Sequence, residues 1–335
     1  MTYEYPSKVL ISGGHEVGGV GSFADALRIG FTELGIPVEI VSPSQAIMRY
    51  RELRDPRVLK ILSTSAVFAA PLARRALCIA HGFPCAKHQG WMKTLAILGS
   101  YRLATMSRGS KLVVVSAYGA AHLESIFGLR VDAVVRNPVQ PLFLEPCPAD
   151  QQPPREAITY MGRLHYSKSI DRLIPAMRDV LDENPGMCAW IIGDGPMRSE
   201  LERATAGDER FQFFGALSAV EVRDRLRRTR VFVSGCVTEG LGIAYIEALS
   251  QGCAVAMPAT GGGLEIAPEC VGHQIQLFSP SLDRRDVSSA LRKAINITDA
   301  FVSVSGFAPR AIASAYLAIG RPSSEGDPFL TEVSV

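Results

Sequence analysis

"VFVSGCVTEGLGIAYIEALSQGCAVAMP", Val231 to Pro258, holds a complete strand–loop–helix–strand unit. "VFVSG" and "CAVAMP" are short apolar runs of strand length, and "GIAYIEALSQ" between them has helical length and stops at Gly252. Strands that are apolar throughout, rather than alternating, belong to parallel sheets covered by helices on both faces. The loop places Glu239 between the first strand and Gly240 and Gly242, with Glu247 eight residues further on in the helix. Two carboxylates at this spacing could be acid/base partners, two grips on one ligand, or solvated residues. Ligands of parallel α/β sheets bind beyond the carboxyl ends of the strands, which favours the grip. A carboxylate accepts strongly from the adjacent hydroxyls of a ribose or a pyranose.

The same rhythm extends in both directions. Upstream run "AITYM" (strand), "SIDRLIPAMRDVLDE" (helix), "CAWII" (strand), "MRSELERAT" (helix), "RFQFFG" (strand) and "SAVEVRDRLRR" (helix). The first half repeats the alternation, with strands "KVLIS", "PVEIVS", "VLKIL", "ALCIA", "KLVVVS" and "DAVVR" and helix-sized intervals near residues 65–75, 91–106 and 117–127. Between the halves, Asn137 to Glu156 carries six prolines and little periodicity, as domain junctions do. The fold class is therefore α/β with two domains: residues 1–140, a proline-rich linker at 141–156, a second domain at 157–303, a terminal helix at 304–320 and a tail at 321–335. The cleft between domains is the expected active site.

Composition sets the outer limits. With 335 residues, 47% hydrophobic and 20% charged, the chain can bury two cores and is not a disordered polymer. No basic region followed by an apolar one opens it, and its apolar runs are interrupted by residues such as Arg74 and Arg75. A cytoplasmic protein without a transmembrane helix is expected. Seven cysteines without a CxxC pair fit a reducing compartment. Cys78, His81, Cys85 and His88 have a spacing that superficially resembles a zinc ligand set, but Cys78 sits inside "ALCIA", where a strand would turn it to the core.

The net charge of +2 conceals an asymmetry: residues 1–140 hold 16 Lys/Arg against 9 Asp/Glu, and residues 141–335 hold 19 against 24. The first half is thus +7 and the second −5. "RYRELRDPRVLK", with Arg49, Arg51, Arg54, Arg57 and Lys60, is the densest basic segment. It reads as a solvated face or as a contact for an anionic acceptor or a membrane surface. Nucleic acid is not an expected partner, because no aromatic residues interleave a second basic stripe.

Four glycine-bearing turns follow strands. "GGHEVGGVGSFA" contains Gly19-x-Gly21-x-x-Ala24, but several residues separate it from the end of the strand, unlike a nicotinamide-binding turn. A flexible loop offering the amides of Gly19 to Ser22 suits this placement better. In "YMGRLHYSKSIDRL", Gly162 permits a tight exit from the strand, and Arg163 and Lys168 can approach one diphosphate from either side of a helix start. In "WIIGDGPMRSEL", Gly193 and Gly195 let the chain turn close to a flat ligand, and in "ATGGGLEIAP" Gly261 to Gly263 can present N–H groups to negative charge.

In the order "GGVG", "HGF", "GRLHYSK", "GDGP", "FFG", "EGLGIAYIEAL", "TGGGLEI", these segments resemble the glycosyl transferases group 1 family, retaining nucleotide-sugar glycosyltransferases of glycogen-synthase type. The resemblance covers nearly the whole chain and implies the GT-B fold, two Rossmann-like domains facing across a cleft. It implies that Arg163 and Lys168 bind and stabilise the donor diphosphate, that Glu239 meets the transferred sugar, and that Glu247 holds the ribose. Gly162, Gly193, Gly195, Gly215, Leu241, Gly242 and Ile243 would complete the donor site, with Gly19 and Gly21 reaching it from the first domain. Gly18, Gly19, Val20 and His81 would lie on the acceptor side, His81 counting among the catalytic residues. The family needs no metal and no cofactor; the donor would be a UDP-sugar ahead of GDP-, ADP- or dTDP-sugars, and the acceptor a hydroxyl of a saccharide, a lipid-linked species or a natural product. The basic first domain would meet an anionic acceptor or the inner membrane face. Ser169 stands where that family commonly has glycine, and serine can open a helix as its cap. A non-catalytic sugar-nucleotide-binding protein and an NAD-dependent oxidoreductase are the alternatives; the latter leaves Arg163, Lys168, Glu239 and Glu247 without a joint purpose.

Overall fold

A computed structural model describes residues 6–13, 19–82, 90–145, 147, 152–298 and 301–321. The chain parts into two compact units, dividing between Pro141 and Leu142 and again between Val304 and Ser305. The first contains strands β1 (Lys8–Ser12), β2 (Val38–Val41), β3 (Val58–Ser63), β4 (Ala76–Ala80), β5 (Ser110–Val114) and β6 (Ala133–Val134). Its helices are α1 (Gly19–Glu33), α2 (Pro43–Met48), α3 (Tyr50–Arg54), α4 (Trp91–Met106) and α5 (Ala117–Phe127). All pairings are parallel, in the order β2-β1-β3-β4-β5-β6.

The second unit alternates β7 (Ala157–Met161), α6 (Ile170–Glu183), β8 (Cys188–Ile192), α7 (Arg198–Ala204), β9 (Phe211–Gly215), α8 (Ala219–Arg227), β10 (Thr229–Val233), α9 (Ile243–Ser250), β11 (Ala254–Pro258), β12 (Ile275–Phe278) and α10 (Arg284–Ile295). Its sheet is also parallel, in the order β12-β11-β10-β7-β8-β9. The order reverses between β7 and β10, and in doubly wound sheets that reversal opens the ligand crevice at the strands' carboxyl ends. Strands β7, β10 and β11 are almost wholly buried, which explains their unbroken apolar runs.

A terminal helix, α11 (Pro309–Ile319), belongs to the first unit and packs on α1. A Cβ on Gly30 of α1 would lie 2.1 Å from the Pro309 carbonyl oxygen, so the close approach requires glycine there. Lys111 Nζ donates to the Ile319 carbonyl (2.7 Å) and Arg75 to that of Gly320 (2.6 Å), placing cations at the negative end of α11.

Several local expectations change. The interval near 65–75 forms a 3₁₀ helix, Thr64–Leu72, with Pro71 in its last turn. Residues Gly19 to Ser22 are the first turn of α1 and not a flexible loop; Phe23, Ala24 and Leu27 bury that helix against the sheet. The proline-rich stretch is tied to the second unit at both ends: Gln251 donates to the carbonyls of Phe143 (3.2 Å) and Glu145 (3.3 Å), and Arg155 to those of Thr229 and Gln251. Lys60, in the basic segment, is fully buried in β3, with its ammonium on the carbonyls of Asp55 and Arg74 and its pKa lowered to about 8 by burial. Arg49 pairs with Glu39 and Glu52, and Arg57 with Asp55, which leaves that segment far less free charge than its composition suggests. Cys78 is buried, its thiol pushed up to about 12, and Cys85 and His88 fall outside the described residues. No helix among the described residues is long and apolar enough to cross a membrane.

Candidate functional site

The exits of β7 and β10 meet at the reversal point. Leaving β7, the chain forms a 3₁₀ turn, Tyr166–Lys168, and enters α6 at Ser169. Leaving β10, it runs through Gly235 and Glu239 to Gly242, which caps α9. A Cβ on Gly235 would lie 3.0–3.1 Å from the carbonyl oxygens of Ser169 and Lys168, so that glycine lets the two loops touch. Across this contact Lys168 Nζ reaches Glu239 Oε2 at 2.7 Å and Cys236 Sγ at 3.5 Å. The pair is neither sealed nor free: the side chains are 30% and 23% exposed.

Both groups are charged. Burial pushes the Lys168 ammonium down, but Glu239 and Cys236 beside it outweigh that and hold its pKa above the ordinary lysine value. Burial pushes Glu239 up, and Lys168, with hydrogen bonds from Cys236 and the Gly240 amide, brings it below the ordinary glutamate value. Cys236 is a participant that the sequence does not announce, since a cysteine three residues after a strand has no distinctive spacing. A cation held in place by neighbours at a crevice mouth is prepaid against the reorganisation that anion binding would otherwise cost.

The glycine turns act mainly as braces. Gly193 has φ +123°, and a Cβ there would lie 2.0 Å from the Gly162 carbonyl oxygen; one on Gly195 would lie 2.4 Å from that of Leu164. The amides of Gly162 and Leu164 donate to Ile192 and Asp194 (3.0 and 2.9 Å), and Gly193 donates to Gly215 (2.7 Å). The close approach at "GDGP" is thus to the neighbouring "GRL" turn. Arg163 rides on that braced turn, its carbonyl accepting from the Tyr160 hydroxyl (3.0 Å) and its side chain exposed. It is not drawn into the Lys168–Glu239 pair. At "TGGG" the expectation of amides offered to an anion is corrected at Gly262, whose N–H is spent on the Glu239 carbonyl (3.0 Å). Ser169 also departs from expectation: it stands at the cap of α6 with φ +50°, a left-handed conformation suited to glycine, and its hydroxyl does not cap the helix.

Glu247 lies one turn into α9, where Ile243 is the first residue, and it is 8% exposed. Burial raises its pKa to about 8, so it keeps its proton at neutral pH. Leu241 is buried in the preceding loop.

In the first unit, Gly19, Val20 and Gly21 open α1, and Gly18 is outside the described residues. The His81 ring packs edge-on against Phe23 with centroids 4.5 Å apart. Burial lowers its pKa to about 4, so it is neutral. Among the described residues its Nε2 is buried without a hydrogen-bond partner, as is Asn137 Oδ1. Buried polar atoms of this kind are rare, and each calls for a ligand or water. Among the described residues no group of three His, Cys, Asp or Glu could hold a metal ion.

Two parallel doubly wound sheets, with a charged crevice mouth on the second, define the GT-B class of fold. Residues 155–297 match the family model "Glycosyl transferases group 1", so the second unit is related to that family. The chain is 26% identical over 176 residues to the phosphatidylinositol N-acetylglucosaminyltransferase gpi3 subunit of Schizosaccharomyces pombe, an alignment spanning 52% of this chain and 38% of that one. It is 30% identical over 176 residues to a subunit of the human phosphatidylinositol N-acetylglucosaminyltransferase, spanning 52% and 35%. The chain thus covers little more than a third of these relatives' length. Among solved structures, Anabaena HepE in complex with UDP and glucose has the same fold, with a TM-score of 0.68 at 16% identity over 94% of this chain and 97% of that one.

Proposed function

We propose that the chain is a metal-independent, retaining glycosyltransferase that takes a sugar from a nucleotide diphosphate sugar, a UDP-sugar first, and places it on a hydroxyl. The observation that carries this reading is the Lys168–Glu239 pair at the reversal point of the second sheet, 2.7 Å apart and open to solvent. A diphosphate arriving there finds a preorganised ammonium in Lys168 and an exposed guanidinium in Arg163. Glu239, released from part of its bond to Lys168, accepts from a hydroxyl of the sugar. Glu247 accepts from the ribose hydroxyls. His81, neutral and with an unpartnered Nε2, serves the sugar or the acceptor as a hydrogen-bonding group.

In the reaction the anomeric C–O bond to the diphosphate breaks, and the acceptor oxygen bonds to the same carbon on the same face. The acceptor's proton passes to the departing phosphate oxygen. Lys168, Arg163 and loop amides near Leu241 and Gly242 stabilise the charge that develops on the leaving group, a contribution of about 3–4 kcal/mol for each well-placed donor. Glu239 positions the sugar and does not form a covalent intermediate. The UDP preference is supported by the UDP complexes among the fold neighbours, and a lipid acceptor by the phosphatidylinositol in the names of the two relatives.

Proton NMR of the first product formed from an α-linked UDP-sugar and a panel of hydroxyl acceptors tests the reading. An α-anomer is expected. A β-anomer would eliminate the retaining mechanism, and UDP release that is independent of every acceptor would point to hydrolysis instead.

A further inference from the structure

Helix α4 is apolar on both sides, with Ile97 and Leu98 packed against the core beside Tyr101 and Ala104. Its buried face holds Thr94, Ser100, Tyr101 and Ala104, while Trp91, Met92, Leu95, Leu103 and Met106 are exposed. Trp91, Leu95, Leu103 and Met106 follow one another at spacings that fall on one side of a helix, and Trp91 and Met106 at its two ends are 67% and 72% exposed. The inward hydroxyls cost little, because Thr94 donates to the Gly90 carbonyl (2.9 Å) and Ser100 to that of Ile97 (2.7 Å). The 3₁₀ helix Thr64–Leu72, which packs directly on α4, exposes Phe68 and Leu72 as well. Soluble surfaces rarely leave so many large apolar groups together without a partner.

The stretch of sequence that holds this face carries charge of one sign. Between Asp55 and Glu124 the sequence has no acidic residue and nine Lys/Arg. Lys93, Arg102 and Arg108 on and beside α4 are exposed and form no ion pair among the described residues. We infer that α4 is an interfacial surface that seats the first unit on an anionic lipid bilayer. The apolar stripe would enter the headgroup boundary, and the long basic side chains of Arg102 within it and of Lys93 and Arg108 near its two ends would reach out to lipid phosphates. A second copy of the chain is a poor occupant, because a symmetric contact through α4 would set these cations against their own equivalents. This surface lies wholly in the first unit and does not depend on the donor-site reading.

The fluorescence of the full chain tests it directly, because the chain has two tryptophans and Trp190 is buried while Trp91 is not. With vesicles of phosphatidylcholine mixed with phosphatidylglycerol, Trp91 emission should shift to the blue and be quenched by brominated acyl chains. Both effects should vanish in Trp91→Phe and weaken with salt. Co-sedimentation of Leu95→Gln/Met106→Gln with these vesicles should fall by about tenfold or more, as should that of Lys93→Glu/Arg102→Glu. Circular dichroism melts matching the parent establish that these surface variants fold. Partition equal to that on phosphatidylcholine alone, or unmoved by both double variants, would overturn the inference. So would a concentration-dependent dimer that Leu95→Gln/Met106→Gln abolishes while vesicle binding stays absent.

Discussion

Glu247 carries a proton at neutral pH in the free protein, since burial raises its pKa to about 8. Ribose hydroxyls donating to it would favour the ionised form and lower that value. Nucleotide binding below pH 8 should therefore release a proton, and affinity should rise between pH 6 and pH 8 by up to about tenfold per unit, levelling above pH 8. Calorimetry of UDP in buffers of different ionisation enthalpy would count that proton. Glu247→Gln should bind more weakly and lose the pH dependence; a dependence that persists in this variant would place the proton elsewhere. Lys168 and Glu239 behave differently, because each holds the other in its charged form. Glu239→Ala is expected to lower the transfer rate at saturating donor by about 10²-fold or more while moving UDP affinity less than threefold. A steady-state comparison with a calorimetric titration separates the two effects. The two glutamates were legible from sequence because each follows a strand end by a countable interval. Cys236 was not, nor was the neutrality of Glu247, since both depend on what the folded chain packs around them.

At the scale of elements, backbone conformation yields its own tests. Ser169 occupies a left-handed conformation at the entry to α6 without making a capping hydrogen bond. Ser169→Gly should stabilise the second unit by about 0.5–1 kcal/mol in denaturant unfolding. Gly193→Ala is expected to have the opposite sign and a larger size, about 2–4 kcal/mol, because the added methyl would meet the Gly162 carbonyl at 2.0 Å. Equal stability of that variant would mean the "GRL" and "GDGP" turns separate readily. The strands were legible because a buried parallel strand is apolar at every position, whichever neighbours it has. The partner of each glycine turn was not: nothing in "ATGGGLEI" says that the Gly262 amide is spent on Glu239, and nothing in "VLKIL" says that Lys60 finds two carbonyls inside the sheet.

For the whole molecule, the two units carry different chemistry on the same kind of sheet. The second has its order reversed between β7 and β10 and gathers Lys168, Glu239 and Glu247 on the segments that leave those strands. The first buries a neutral histidine beside α1 and exposes an apolar, basic-flanked helix. The repeated strand–helix rhythm made both sheets readable in advance, and the asymmetry of charge marked the first unit as distinct. Which cations in that unit are free was hidden, because Arg49 and Arg57 find carboxylates within a few residues or on a neighbouring strand. The claim that joins these observations is that the mouth of the second sheet holds a nucleotide diphosphate. Calorimetric titration of UDP into the parent chain and into Lys168→Ala tests it most directly. Saturable binding to the parent at one site and an affinity at least about tenfold weaker in Lys168→Ala are expected. Equal affinity in the two proteins would contradict it.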